Sequence, residues 1–128
     1  MTHLLLSSTV HSLSVFTKLG ILLVAGAPRA LAQDMYITGV GDGPLSGGVP
    51  KALELCVLND ISDLSAFGVG SANNGGGSNG EEFTFPAGAA SAGTYLYVAS
   101  EAAGFSTFFG FAPSYTSGAA EINGDDAI

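Results

Sequence analysis

The sequence predicts an all-β domain with one short helix. Residues 51–59, K-A-L-E-L-C-V-L-N, alternate apolar side chains with small or polar ones at a period of two, which is typical of a half-buried β-strand. Residues 94–99, T-Y-L-Y-V-A, repeat this alternation with aromatic and β-branched residues. Clusters of Gly, Pro, Asn and Ser separate the apolar stretches, as expected of strands joined by turns.

The strands and loops of the first half follow from local composition. Residues 35–40 alternate and are rich in strand formers, so they predict the first strand. Residues 41–50 contain many Gly and Pro residues and predict a loop. The short polar side chains of residues 60–63 predict a turn, after which residues 64–71 form a third predicted strand. Residues 72–80 have no large apolar side chain and predict an exposed, flexible loop.

The strand over residues 51–58 is the centre of the predicted sheet. Its apolar positions should face the core, and Glu54 stands on the opposite face. The Glu54 carboxylate is then either solvated or bonded to a neighbouring loop. Cys56 is the only cysteine of the chain, which excludes an intramolecular disulfide and predicts a small, partly buried apolar side chain. The apolar positions of this strand are Leu53, Leu55 and Val57.

The second half of the chain alternates short strands with irregular segments. Residues 83–85 predict a short strand, which Pro86 stops because proline donates no backbone hydrogen bond. Residues 94–99 predict a longer strand. Residues 113–123 are expected to be irregular, and residues 125–128 to begin a further strand.

A short helix is predicted near residues 101–109. Ser100 offers a hydroxyl cap, an acid follows in the first turn, and a glycine follows the last residue. Phe105, Phe108 and Phe109 recur at i, i+3 and i+4 and therefore share one helix face. Packing into the core is the commoner reason for such a stripe, and the alternative is the wall of a ligand groove.

Residues 1–32 differ in character from the rest of the chain. A cation, Lys18, precedes an apolar run over residues 19–27, and residues 30–32 supply the small triplet A-L-A. These are the parts of a secretory signal peptide. The alternative is a membrane anchor, but the run is about half of the ~20 residues that cross a bilayer. We therefore expect residues 33–128 to be secreted and extracellular, without membrane contact after cleavage.

The predicted secreted part is strongly acidic. Residues 33–128 carry one lysine, Lys51, against eleven carboxylates, a formal charge of −10, and contain no His, Arg or Trp. Such a surface repels the phosphate backbone, so we expect no nucleic-acid binding by this domain. Without imidazole, neither a Ser–His or Cys–His nucleophile nor a histidine-bound zinc or copper ion can be assembled there.

For residues 33–128, carboxylates are the groups left from which a metal site or a catalytic site could be built. Calcium takes oxygen ligands, and the candidate loops contain Asp42, Asp60 with Asp63, and Asp125-Asp126, although none fits a calcium-loop motif. No other cofactor is expected. A glycoside-hydrolysing pair is disfavoured because the acids that could supply it are adjacent, and adjacent residues on a strand point to opposite faces.

Several short motifs of residues 35–128 resemble the lamin-tail-like domain family. The matching residues are Leu53-Glu54-Leu55, Asn59 and Asp63-Leu64-Ser65, together with the Phe85-Pro86 step, Gly93-Thr94-Tyr95 and the Gly124-Asp125-Asp126 turn. The resemblance implies an immunoglobulin-like β-sandwich, incomplete at its C-terminus because the family's last one or two strands are missing. It implies structural roles for Leu53, Glu54, Leu55 and Asn59 and supplies no catalytic residue. Secreted microbial members of the family are accessory domains beside extracellular nucleases and phosphatases.

These observations predict a secreted, non-catalytic accessory module that binds a protein or a polysaccharide through exposed aromatic residues and loops. Two alternatives stay open from the residues. The chain is the N-terminal fragment of a larger extracellular nuclease or phosphatase whose catalytic domain is absent here, or it is a calcium-dependent adhesion module. An enzyme is not expected under any of the three.

Overall fold

The computed structural model describes residues 33–78, 80–124 and 126–128, so the predicted signal peptide at residues 1–32 lies outside the described residues. Within the described ranges the chain is mostly β, with one α-helix and two sheets, and the prediction of an all-β fold with one short helix is confirmed. The larger sheet has the order β1-β2-β5-β6, and β3 pairs with β4. The elements are β1 (Met35–Leu45), β2 (Val49–Val57), β3 (Gly68–Val69), β4 (Phe83–Thr84), β5 (Tyr95–Ala99), α1 (Ala102–Phe109) and β6 (Tyr115–Thr116).

The hairpin of β1 and β2 corrects the loop predicted over residues 41–50. β1 continues to Leu45 and β2 starts at Val49, so the turn is only three residues long. Gly47 and Gly48 have φ angles of 89° and 70°, a backbone conformation that L side chains resist. Pro44 is accommodated because it lies in the irregularity of β1 between Asp42 and Leu45, where it has no register partner in β2.

β2 lies between β1 and β5, and its predicted core positions are confirmed. Leu53, Leu55 and Val57 are buried in the main core together with residues of both sheets. The expectation of a half-buried strand is wrong in one respect, because Ala52 and Cys56 on the opposite face are buried too. α1 covers part of that face, where the ring of Phe105 packs with Ala52 and forms a second, smaller core.

The predicted third strand over residues 64–71 is largely wrong. Leu64–Ala66 form a 3₁₀ turn, and only Gly68–Val69 are strand. The Asp63 side chain explains the turn, since its Oδ1 accepts from the Ser65 backbone N–H at 3.0 Å and from the Ser65 hydroxyl at 2.8 Å. Such local side-chain bonds offer the backbone an alternative to the hydrogen bonds between paired β-strands. The short strand predicted at residues 83–85 is confirmed by β4.

β5, α1 and β6 form a strand–helix–strand unit. β5 confirms the strand predicted at residues 94–99, and α1 confirms the helix, which ends at Gly110 with φ 82°. The predicted Ser100 cap is wrong: Glu101 is the N-cap, and its Oε2 accepts from the Gly104 N–H at 2.7 Å. β6 is parallel to β5 and lies in a segment expected to be irregular. Parallel neighbours require a crossover, which α1 provides.

The C-terminal segment contributes to the main core without forming the predicted strand. Ala119, Ala120 and Ile122 are buried there. Ala127 makes only an isolated antiparallel bridge to Ala72 instead of beginning a strand. In the part of the chain that the structure describes, no helix is long and apolar enough to cross a membrane.

Candidate functional site

Glu54 lies at the centre of the sheet face opposite the main core, which we call the outer face. It is paired with Tyr97 of β5 on one side and with Gly39 of β1 on the other. A bulge in β1 between Ile37 and Gly39 presents Thr38, whose hydroxyl donates to Glu54 Oε1 at 2.7 Å. The carboxylate is therefore bonded to a neighbouring strand. The sequence predicts either a solvated carboxylate or a bond to a loop, and the structure shows neither.

A cleft of about 180 Å³ opens on the outer face beside Glu54, and we call it the outer cleft. Two of its β1 residues, Gly39 and Gly41, have no side chain, and they are paired with Glu54 and Ala52. The absence of side chains there leaves the space that the cleft occupies. Its lining residues are Gly39, Val40, Gly41, Ala52, Leu53, Glu54, Tyr97, Phe105 and Phe109.

Aromatic rings form one wall of the outer cleft and extend beyond it. The ring centroids of Phe105 and Phe109 are 4.6 Å apart, and those of Tyr97 and Phe111 are 5.0 Å apart in an edge-to-face arrangement. We call Tyr97, Phe105, Phe108, Phe109 and Phe111 the aromatic cluster. Phe105 is fully buried, whereas Phe108, Phe109 and Phe111 are 49%, 45% and 44% exposed. The predicted stripe therefore divides: Phe105 is core, and its two partners lie at the surface.

Two side chains with hydroxyl groups, Thr38 and Tyr97, lie next to the Glu54 carboxylate. Burial of the Tyr97 hydroxyl and the neighbouring Glu54 carboxylate both raise the pKa of Tyr97. Among the residues that the structure describes, the only ion pair joins Lys51 and Asp42, at 2.9 Å. The Glu54 carboxylate therefore faces the outer cleft region without a cation from this part of the chain.

Tyr95 and Cys56 are neighbours on the same face. The Cys56 thiol beside the Tyr95 hydroxyl raises the pKa of that tyrosine. Cys56 is buried, as its predicted role as a small apolar side chain requires. Tyr95 is half exposed and extends the aromatic character of the outer face beyond the cleft.

The described calcium candidates have partners within the fold. Asp42 Oδ1 accepts from the Lys51 ammonium at 2.9 Å. Asp126 accepts from the backbone N–H groups of Asn74 at 2.8 Å and Asn123 at 2.7 Å, and these bonds lower its pKa. Asp125 lies outside the described residues. Within residues 33–78, 80–124 and 126–128, no three His, Cys, Asp or Glu side chains lie together as a metal site would require.

Lys51 organises a second polar region that the sequence did not reveal. Its Nζ donates to Asp42 Oδ1, to the Ile122 carbonyl at 2.6 Å and to Asn123 Oδ1 at 2.9 Å, which uses all three ammonium protons. A cavity of about 360 Å³ adjoins this lysine and includes Glu101 and Glu121 in its lining. The Oε1 of Glu101 is buried and has no hydrogen-bond partner among the described residues. These groups come from segments far apart in the sequence, so only tertiary contacts bring them together.

Asn59 ties the two ends of the hairpin together. Its Nδ2 donates to Asp34 Oδ1 at 3.1 Å, and the Asp34 carbonyl accepts from the backbone N–H of Leu58 at 2.7 Å. Of the four residues for which the resemblance implies structural roles, three thus lie in β2, and Asn59 lies two residues after its end.

No family model matches this chain, and neither the curated proteins nor the solved structures that were compared with it give a match.

Proposed function

We propose that residues 33–128 form a secreted, non-catalytic interaction module that binds its partner through the outer cleft and the aromatic cluster. The observation that carries the proposal is the exposure of three phenylalanine rings beside a concave site with one carboxylate. Exposed apolar patches of this kind mark interaction sites, and aromatic residues are enriched at them. Concave, mostly apolar sites with a few polar groups are typical of ligand binding.

The titratable groups of the cleft support a role without catalysis. Glu54 and Tyr97 are the only titratable residues in its lining, and the carboxylate has no second carboxylate to work with. Glycoside hydrolysis needs two carboxyl groups facing each other across the bond. An activated nucleophile needs a neighbouring base, and the lining contains no histidine and no lysine.

For the architecture, we propose a lamin-tail-like, immunoglobulin-like sandwich. Residues from both sheets share the main core, which supports this assignment. The parallel pair of β5 and β6, joined through α1, is the feature that this assignment must accommodate. Export by the segment at residues 1–32 is part of the same proposal. N-terminal sequencing of the protein recovered from the culture medium should start at Gln33, and a chain retained in the cell membrane contradicts export.

Binding is tested with the chain of residues 1–128, labelled after purification. We expect it to bind one or more members of an array of polysaccharides and extracellular proteins, and Phe109→Ser should weaken that binding at least about tenfold, as expected for an aromatic anchor. Leu58→Ser is the matched control, because Leu58 is also 45% exposed but is not part of the cleft.

Three results contradict the proposed function. The first is an array without any binder, and the second is binders that respond equally to Phe109→Ser and Leu58→Ser. The third is nuclease, phosphatase or glycosidase turnover by the purified chain.

A further inference from the structure

Among the residues that the structure describes, the charge of Glu54 has no counterion. Its described polar neighbours are the Thr38 hydroxyl, which donates to Oε1, and the side chain of Tyr97. Both side chains are neutral. Lys51, the single cation of residues 33–128, has its three protons committed to Asp42, Ile122 and Asn123. A carboxylate in a partly buried site is stabilised further when a cation approaches it.

The walls of the outer cleft suit the same kind of ligand. Tyr97, Phe105 and Phe109 line it, and aromatic rings attract cations through the negative potential of their faces. The volume of about 180 Å³ is somewhat larger than that of a cavity that holds one benzene ring, roughly 150 Å³. The cleft therefore has room for one side chain or one small ring.

The charge of the whole domain acts in the same direction. With a formal charge of −10, residues 33–128 attract cations over long range and repel phosphates and carboxylates. A neutral sugar would gain nothing from this field, although it could use the carboxylate as an acceptor. Charge complementarity therefore favours a cationic group over a neutral or an anionic one.

We infer that the outer cleft receives an ammonium group, the side chain of a lysine presented by a basic protein partner. The ammonium group binds at the Glu54 carboxylate, and its aliphatic stem lies along the aromatic wall. This inference rests on the proposed function, since it names the chemical class of the partner that the same surface binds.

The test is an NMR titration of the ¹⁵N-labelled full chain, after any processing by the host, with n-butylammonium chloride. This probe reproduces the lysine stem and its charge, and 1-butanol, which has the same number of heavy atoms and no charge, is the matched neutral probe. Total chloride is held constant. We expect saturable shifts at the amides of Gly39, Gly41, Glu54 and Tyr97, with an affinity roughly tenfold higher for the ammonium.

Three variants connect the shifts to the cleft. Glu54→Gln keeps the shape and should lower the affinity roughly tenfold. Glu121→Gln removes the same charge from an exposed side chain outside the cleft and should change the affinity less than about twofold because of screening. Gly41→Val fills the cleft and should abolish binding while the chain stays folded, since a Cβ there meets Ala52 O at an ordinary 3.8 Å.

Four results overturn the inference: equal affinity for 1-butanol, equal effects of Glu54→Gln and Glu121→Gln, absence of shifts with the ammonium, or a methyl glucoside that binds the same amides more tightly. The array experiment is independent of them. Suppose that the array yields a binder sensitive to Phe109→Ser, whereas the ammonium titration gives no shifts. This combination would leave the proposed function standing and reject the ligand class. Ammonium binding at the cleft without an array binder would reject the proposed function and with it the protein partner, and only the affinity of the cleft for an ammonium group would stand.

Discussion

Lys51 and Asn123 are 72 residues apart in the chain, and the Nζ of Lys51 donates a 2.9 Å hydrogen bond to Oδ1 of Asn123. The same ammonium bonds the Ile122 carbonyl and Asp42, so one side chain joins the first hairpin to the C-terminal segment. Because its side chain is only 15% exposed, these bonds are partly shielded from water.

Replacing this lysine should loosen the C-terminal segment. Lys51→Met keeps the stem and removes all three bonds, and hydrogen bonds to a charged group contribute about 1.5–3 kcal/mol each, partly recovered by water at this site. We expect the free energy of unfolding to fall by about 2 kcal/mol in urea denaturation. Asp42→Asn is the control and should cost less than about 1 kcal/mol, because Asp42 is exposed. Equal stability of Lys51→Met and the wild type would contradict the role of the ammonium.

The main core should depend strongly on Leu53. This side chain is fully buried, and Leu53→Ala should lower the free energy of unfolding by about 2–5 kcal/mol through lost burial and the cavity that remains. Phe108→Ala serves for comparison, since that ring is half exposed and its loss should cost clearly less. Thermal or urea unfolding measures both. Similar losses in the two variants would show that the core is assigned to the wrong face.

Acid should destabilise the chain through Asp126 and Asp63. Backbone bonds from Asn74 and Asn123 lower the pKa of Asp126 from its usual 3.8, and bonds from Ser65 lower the pKa of Asp63. A lowered folded pKa means that the unfolded chain binds the proton more tightly. This stabilisation is complete above the unfolded pKa and is lost as the pH falls through the folded pKa.

The melting temperature should accordingly fall as the pH decreases below about 4. Asp126→Asn removes one titrating group, so its melting temperature should vary less with pH over that range, and Asp63→Asn should act in the same direction. Melting curves recorded from pH 7 to pH 3 provide the measurement. If neither variant changes the slope, these two carboxylates are not responsible for the acid sensitivity.

The turn of the first hairpin should require glycine. Gly47 has a φ of 89° and no atom within 4 Å of an added Cβ, so Gly47→Ala tests backbone conformation without a steric clash. A left-handed alanine costs about 1–2 kcal/mol. Gly88→Ala is the matched control, with open space and no positive φ, and should be neutral or slightly stabilising. A neutral Gly47→Ala variant would mean that the turn adopts another conformation in solution.

The strands that the sequence predicted best are those whose alternation agrees with their burial. β2 and β5 combine apolar positions at a period of two with a buried face, and both lie where the pattern places them. The loop prediction at residues 41–50 was wrong because Gly and Pro disfavour a strand only on average, and Gly41, Gly43 and Pro44 lie in the edge strand β1. The strand prediction for residues 64–71 was wrong because Asp63 forms a local cap whose effect depends on its hydroxyl partner, Ser65.

The candidate site was only partly accessible to sequence reasoning. The position of Glu54 on the face opposite Leu53 and Leu55 follows from the period of two. The bulge at Thr38 and the packing of α1 against Ala52 depend on tertiary contacts, so the pattern could not show that a cleft exists there. The sequence contains no pattern that predicts the bonds of Lys51, since its partners Ile122 and Asn123 lie in a segment without periodicity.

The sheet separates the main core from the smaller core under α1, and this separation has an evolutionary consequence. The aromatic wall is contributed mainly by the connection between β5 and β6, whose exposed rings take no part in the main core. Under the proposed function, mutations at the exposed rings of this connection therefore change the recognised partner while the main core is preserved. The same property makes the exposed positions Phe108, Phe109 and Phe111 suitable for randomisation, in which new specificities are selected while Phe105 and the scaffold stay unchanged.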